Sequence, residues 1–260
     1  MTRLRATHCH LPKPLVAGDY RVHSAFTHAI NLTMPAGGFP LVSLVTYQKP
    51  LVPCGLKVAT PQMPAVTVGE RVTLDATGLS FAIWTLDTTL AMPLDLSVSH
   101  GTLTPRQWPR VLEALNTALA GRPSGIPELQ DEAWLTELWG RKTHESERDW
   151  GALLRTLVGR GPGLTPSGDD FLCGWLWAWH RIGHPQLDAL SEAVAESRTA
   201  TTDISQNFLT FALEGYFVES LKVAEYAPLD GFNALREQGA TSGAVSYTHL
   251  RAHETGRNLV

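Results

Sequence analysis

Gly161-Pro-Gly-Leu-Thr-Pro-Ser-Gly-Asp-Asp-Phe-Leu-Cys-Gly-Trp-Leu-Trp-Ala-Trp179 decides how the second half of this chain folds. From Phe171 to Trp179 nearly every position is apolar, with Leu172, Cys173, Trp175, Leu176 and Trp177 between. A helix that is apolar on all sides must be buried. Its start is then fixed inside the protein, with free N–H groups in its first turn. Ahead of it, Gly161 and Gly163 let the backbone turn tightly and approach a ligand. Pro166 stiffens the entry. Ser167 is placed to cap the helix, and Asp170 follows three residues later, as in a capping box.

Reading outward, Gly183 and Pro185 end that helix, and His180 and His184 read as C-terminal caps rather than ligands. Helices are expected over residues 186–195 and 204–226 on one side, and over 131–139 and 149–158 on the other. An earlier helix opens at Thr104-Pro-Arg-Gln107, with Thr as N-cap, Pro first and Gln third. Trp108, Val111, Leu112, Leu115 and Leu119 give it one apolar stripe. Gly121 and Pro123 end it. Before Thr104 the chain reads as β. Residues 20–32 and 41–47 are rich in strand formers. Residues 71–75 and 79–84 flank Ala76-Thr-Gly78 as a hairpin-like pair. The expected class is α+β: a β-rich part, residues 1–103, packed on a helical part, residues 104–244, that carries the glycine loop.

Composition limits the function. The 21 basic and 25 acidic residues are spread along the 260-residue chain and leave a net charge of -4. No basic stripe is present, which argues against nucleic acid as a partner. Three cysteines without a C-x-x-C pair argue against a disulfide framework and fit a reducing, cytoplasmic setting. No apolar core of a signal peptide is seen at the N-terminus. The most apolar run, 171–179, is far shorter than the ~20 residues of a bilayer span. The N-terminal segment reads as mobile, so His8-Cys9-His10 is given no metal despite its ligand types. Residues 245–255 resemble a translated sequencing-library adapter, so 245–260 is read as a non-native tail and kept out of site reasoning.

The loop supports three chemistries. Ser167 and Asp170 can be caps and nothing more. Alternatively, Asp169 and Asp170 hold a divalent metal such as Mg that bridges a phosphate, since two carboxylates repel a bare anion at a helix N-terminus. Or an Asp accepts N–H bonds from an amide or ureido substrate while backbone N–H groups take its anionic end. Composition does not choose between the last two. The loop is not a Walker motif, because no Lys-Ser/Thr follows the glycines. Nor is Ser167 in a G-x-S-x-G elbow. Trp175, Trp177 and Trp179 read as core rather than as a cofactor platform.

The string from Gly161 to Leu172 resembles the signature of the AllH-like family, bacterial proteins formerly of unknown function. Two further blocks are similar. One is Thr201-Thr-Asp-Ile-Ser205 followed by Leu209, Ala212, Gly215, Phe217 and Glu219. The other is Gly239-Ala-Thr-Ser-Gly243, with Ala240 where the family commonly has His or Ser. Val22-His-Ser-Ala-Phe26 and Asn31 resemble its N-terminal strand more loosely. Arg160 lies outside the pattern and receives no role.

The resemblance implies a subunit of the oxamate carbamoyltransferase of allantoin degradation, active only with partner subunits. The reaction would be phosphorolysis of oxalurate to oxamate and carbamoyl phosphate, or its reverse. It needs an anion cradle, donors for a carboxylate, and polarisation of a carbonyl as charge develops. Asp169 and Asp170 are the candidate catalytic residues, and also the candidate metal ligands. Gly161, Gly163, Thr165, Ser167, Gly168, Thr201, Ser205, Thr241 and Ser242 are the candidate substrate-binding set. Two other functions fit: a non-catalytic scaffold subunit of that complex, or a stand-alone metal-dependent phosphoryl- or acyl-transfer enzyme.

Overall fold

The structure, a computed structural model, describes residues 2–34, 40–119 and 150–237. The chain divides into two compact units, Met1–Leu96 and Ser97–Val260.

The first unit is a barrel. Its strands are β1 (Thr2–His10), β2 (Gly18–Phe26), β3 (Ala29–Thr33), β4 (Val42–Thr46), β5 (Gly55–Val58), β6 (Arg71–Asp75), β7 (Gly78–Ser80), β8 (Trp84–Asp87) and β9 (Met92–Pro93). They run in the order β5-β4-β3-β2-β6-β7-β8-β1-β9, and pairing of β5 with β1 closes the sheet. Side chains alternate between faces. Tyr20, Ile30, Leu32, Leu44, Leu56 and Val72 are buried on the inner face. On the opposite face Ser24, Asn31 and Ser43 stand directly across from one another on β2, β3 and β4. Asn31 donates to the Ser24 hydroxyl at 3.0 Å, and Ser43 donates to the Asn31 carbonyl oxygen at 2.8 Å. The family-like Ser24 and Asn31 therefore form a polar seam joining three strands.

The N-terminal segment is not mobile. It is β1, held antiparallel to β5 and parallel to β8. His10 is buried there, and burial lowers its pKa against the charge of Asp95. The expected hairpin is present. Asp75 and Gly78 pair across Ala76-Thr77, and Asp75 Oδ1 accepts from the Thr77 and Gly78 N–H groups. The expected strand at 79–84 is shorter, because Phe81 turns back. Its N–H donates to Trp84 O at 2.9 Å, and its ring stacks on Trp84 at 3.9 Å.

The second unit is helical: α1 (Trp108–Leu119), α2 (Trp150–Leu157), α3 (Ser167–Ile182), α4 (Leu187–Ser197), a short 3₁₀ turn (Arg198–Ala200), α5 (Asp203–Leu213), α6 (Glu219–Val223) and α7 (Pro228–Arg236). The buried helix is α3, which packs against α2, α4 and α5. Phe171, Trp175 and Trp179 follow at four-residue spacing and meet edge to face, with ring centroids 5.8 and 5.3 Å apart. Gly183, left-handed at φ 64°, ends α3 as expected. His184 stacks on Trp179 at 3.8 Å.

Three expectations need correction. The Thr104 box forms, with Gln107 Oε1 accepting from Thr104 N–H at 2.9 Å, but α1 begins only at Trp108. Residues 204–226 are not one helix. Gly215 is left-handed at φ 80°, and Tyr216 pairs with Ser97 as a β-bridge. The cause is a strap, residues 97–103, laid over the helix ends. Val98, Gly101 and Leu103 donate to the carbonyls of Gly215, His180 and Arg181. Arg181, buried, donates to Glu225 Oε1 at 2.9 Å and also to Thr102 Oγ1. Glu225 in turn takes Lys222 at 2.6 Å and the Ser99 N–H at 2.8 Å. Finally, α7 lies where no helix was expected. Its sequence, PLDGFNALR, has Gly231 inside it because α6 passes so close. The expected helix over 131–139, the end of α1 at Gly121 and the tail 245–260 lie outside the described residues. Among the described residues, no helix is long and apolar enough to cross a membrane.

Candidate functional site

The glycine loop joins α2 to α3. Gly159, Gly161 and Gly163 all have positive φ, 71°, 114° and 96°. That conformation is strained for any residue with a Cβ. Their surroundings differ. A Cβ on Gly163 would meet open space, and one on Gly161 would meet Ser167 N at 2.8 Å. Residues 160–164 are exposed, Thr165 is half-buried, and Pro166 to Asp169 are buried.

The start of α3 differs from the expected capping box. Pro166 occupies the N-cap position, with no side-chain cap, and Ser167 is the first helical residue. Proline's ring fixes φ, at -52° here, and with ψ at 142° Pro166 has the extended, non-helical conformation that a cap requires. The Ser167 hydroxyl is fully buried and has no hydrogen-bond partner among the described residues. The N–H groups of Gly161, Gly163, Leu164, Thr165 and Ser167 donate to no other described residue. Of these only Ser167 belongs to the first turn of α3; the other four are loop amides, and the first-turn N–H groups of Gly168, Asp169 and Asp170 bond to Arg160 O and Pro166 O. Gly168 is buried against α2, its own N–H bonded to Arg160 O at 2.8 Å.

Asp169 points inward and is 2% exposed. Its Oδ1 accepts the Gly159 N–H at 2.9 Å, and its Oδ2 accepts the Thr201 hydroxyl at 2.5 Å. Burial raises its pKa, and the bonds from Thr201 and Gly159 oppose that rise. The buried Ser205 hydroxyl lies close enough to favour the charged carboxylate as well, though without ordinary hydrogen-bond geometry. Asp170, the next residue, is half-buried. Burial and both carboxylates push the Cys173 thiol well up, so it is not a thiolate nucleophile at neutral pH. Among the described residues, no group of three or more His, Cys, Asp or Glu could hold a metal ion.

The start of α5 faces the loop. Thr201 reaches Asp169. Thr202, the N-cap of α5, accepts from Ser205 N–H at 3.2 Å and donates to the Leu164 carbonyl at 2.5 Å. The structure therefore brings Ser167, Asp169, Thr201 and Ser205 together around the loop. Thr241 and Ser242 lie outside the described residues. The sequence points to Thr201, Thr202 and Ser205 as a helix start beside the loop, but gives no sign that Gly159 N–H is tied to Asp169. The Thr-Asp-Ile-Ser spacing of 202–205 is itself an N-cap signal.

Two family models match the chain. The AllH family N-terminal domain matches residues 4–95, and oxamate carbamoyltransferase subunit AllH matches residues 157–248. Together they take in most of the sequence. The chain belongs to the AllH family. The first AllH model coincides with the barrel, and the second begins at the last residue of α2, just ahead of the glycine loop. No solved structure matches the chain.

Proposed function

We propose that this AllH-family chain is a carbamoyltransferase subunit acting on oxamate and carbamoyl phosphate, with the Gly159–Gly168 loop as its anion cradle. It works in the cytoplasm with other subunits of the complex, in allantoin nitrogen catabolism. The observation that carries this reading is the row of N–H groups at Gly161, Gly163, Leu164, Thr165 and Ser167 that donate to no other described residue, next to a Ser167 hydroxyl with no partner among the described residues. Backbone donors of that kind in a glycine loop leading into a helix suit a phosphate or carboxylate.

In oxalurate phosphorolysis a phosphate oxygen attacks the ureido carbonyl carbon. The bond from that carbon to the oxamate nitrogen breaks, and the nitrogen takes the proton that phosphate gives up. Oxamate and carbamoyl phosphate leave. The loop N–H groups hold the phosphate. Asp170, the half-buried carboxylate, orients the ureido NH2, and Asp169 fixes the loop. Gly161, Gly163, Thr165 and Ser167 belong to the cradle in this reading, with Thr201 and Ser205 behind it and Thr241 and Ser242 as further hydroxyl donors. Among the described residues, a divalent cation such as Mg has Asp169 and Asp170 as candidate ligands, and both Asp169 oxygens already accept hydrogen bonds.

A scaffold role is the second reading. It is favoured by how much of the motif is spent internally: Gly168 on α2, Asp169 on Gly159 and Thr201. Co-expression with partner subunits separates the two, using carbamoyl phosphate formation from oxalurate and phosphate as the assay. Asp170→Asn that assembles but loses turnover supports the site, and full turnover supports the scaffold. Equal activity with and without this chain removes both.

A further inference from the structure

Thr202 holds two parts of the loop region at once with a single hydroxyl. Its proton goes to Leu164 O, at the exposed tip of the loop, and a lone pair takes Ser205 N–H, the first turn of α5. A hydroxyl has one proton and two lone pairs, so both bonds coexist. Its neighbour Thr201 ties Asp169, which holds Gly159 at the other end of the loop. Between these two anchors lie Gly161 and Gly163, whose backbone freedom would otherwise let the N–H groups point anywhere.

We infer that Thr202 is a positioning residue, a latch from α5 that sets the glycine loop in its anion-binding shape. The inference rests on the proposed cradle for its kinetic consequence, but not for its structural one. The latch acts on binding of the anion in ground and transition states alike, so its loss raises KM and leaves kcat in place.

The test uses the full chain, alone and in the assembled complex, with three variants. Thr202→Ser keeps donor and acceptor. Thr202→Val removes both. Thr202→Asp keeps the cap acceptor for Ser205 N–H but has no proton for Leu164 O at neutral pH. Hydrogen–deuterium exchange of the peptide spanning 159–168, read at its bonded amides Gly159, Arg160 and Gly168, is the first readout. It should speed up in the Val and Asp variants and stay unchanged in Ser. In the complex, KM for carbamoyl phosphate should rise about tenfold in the Val and Asp variants, the equivalent of one lost hydrogen bond. The turnover number should hold, and Ser should match the wild type. The Asp effect should persist at high salt, where simple charge repulsion is screened.

Loop exchange unchanged in Thr202→Val overturns the latch. Faster exchange with unchanged KM overturns its positioning role. A wild-type complex with no carbamoyl transfer refutes the proposed function instead, and the exchange result still decides the latch.

Discussion

Gly168→Ala sets two physical effects of opposite sign against each other. Gly168 is the second residue of α3, and replacing glycine by alanine in a helix is ordinarily stabilising by up to about 1 kcal/mol. Here the added Cβ would stand 1.8 Å from Leu157 O, 2.7 Å from Leu157 C and 3.2 Å from Leu157 Cα. An ordinary carbon–oxygen contact is about 3.3 Å, so α3 and the end of α2 must part by roughly 1.5 Å. The obstacle is backbone, so no rotamer change relieves it. Parting also strips contacts from Leu154 and Leu157, both fully buried. Overpacking of this kind costs about 1–3 kcal/mol, occasionally more. With the upper part of that range and the helix gain subtracted, the net loss is about 2 kcal/mol. For a chain of this size that is a fall in Tm of roughly 4–8 °C. Thermal unfolding followed by circular dichroism at 222 nm measures it, with Gly163→Ala as the companion, since a Cβ there meets open space and suffers only backbone strain. A Gly168→Ala protein as stable as the wild type, or more so, would refute the close approach of the loop-bearing helix to α2.

The remaining predictions concern buried charge. Asp169 has a folded pKa raised by burial, so its contribution to stability is fully present below the unfolded-state pKa and is lost as pH rises through the folded one. The stability of the wild type relative to Asp169→Asn should therefore decline with rising pH, measured by urea unfolding of both proteins from about pH 3.5 to 7. A relative stability that grows with pH would mean that the Thr201 and Gly159 bonds outweigh burial. Glu225→Ala leaves Arg181 buried without its carboxylate and should cost about 3–5 kcal/mol in urea unfolding. The double variant Arg181→Met/Glu225→Leu should lose less than that single change, and an equal or greater loss would count against the ion pair as the cause.

Much of the helical unit was legible because its signals are local. The run from Phe171 to Trp179 leaves α3 no polar face, and Gly183 stops it where a left-handed residue is needed. The hairpin at Asp75 to Gly78 was legible for the same reason. What was missed depends on partners distant in sequence. In β1, TRLRATHCH, only Ala6 and His10 are buried, so no apolar pattern announces a strand, and its order comes from β5 and β8. The break at Gly215 depends on a strap more than 100 residues earlier that takes up its carbonyl. At the site, residue types indicated a polar cluster around the loop but not which way each group faced. Ser167 looked like a cap because serine usually is one, and Pro166 holds that position instead.

That difference of direction changes how the two carboxylates divide the work. Successive residues on a helix point about 100° apart, so Asp169 and Asp170 leave α3 in different directions. Asp169 faces the core, where two donors from the chain itself occupy its oxygens. Replacing one of them with a substrate N–H would break either the hold on Gly159 or the hold on Thr201, and with it the loop that is to bind the anion. Asp170 is the carboxylate with partial exposure at the helix start. A substitution series confined to Asp169 would therefore report on loop geometry, through KM and stability together. Asp170 is the position at which a loss of turnover with stability intact would point to contact with substrate.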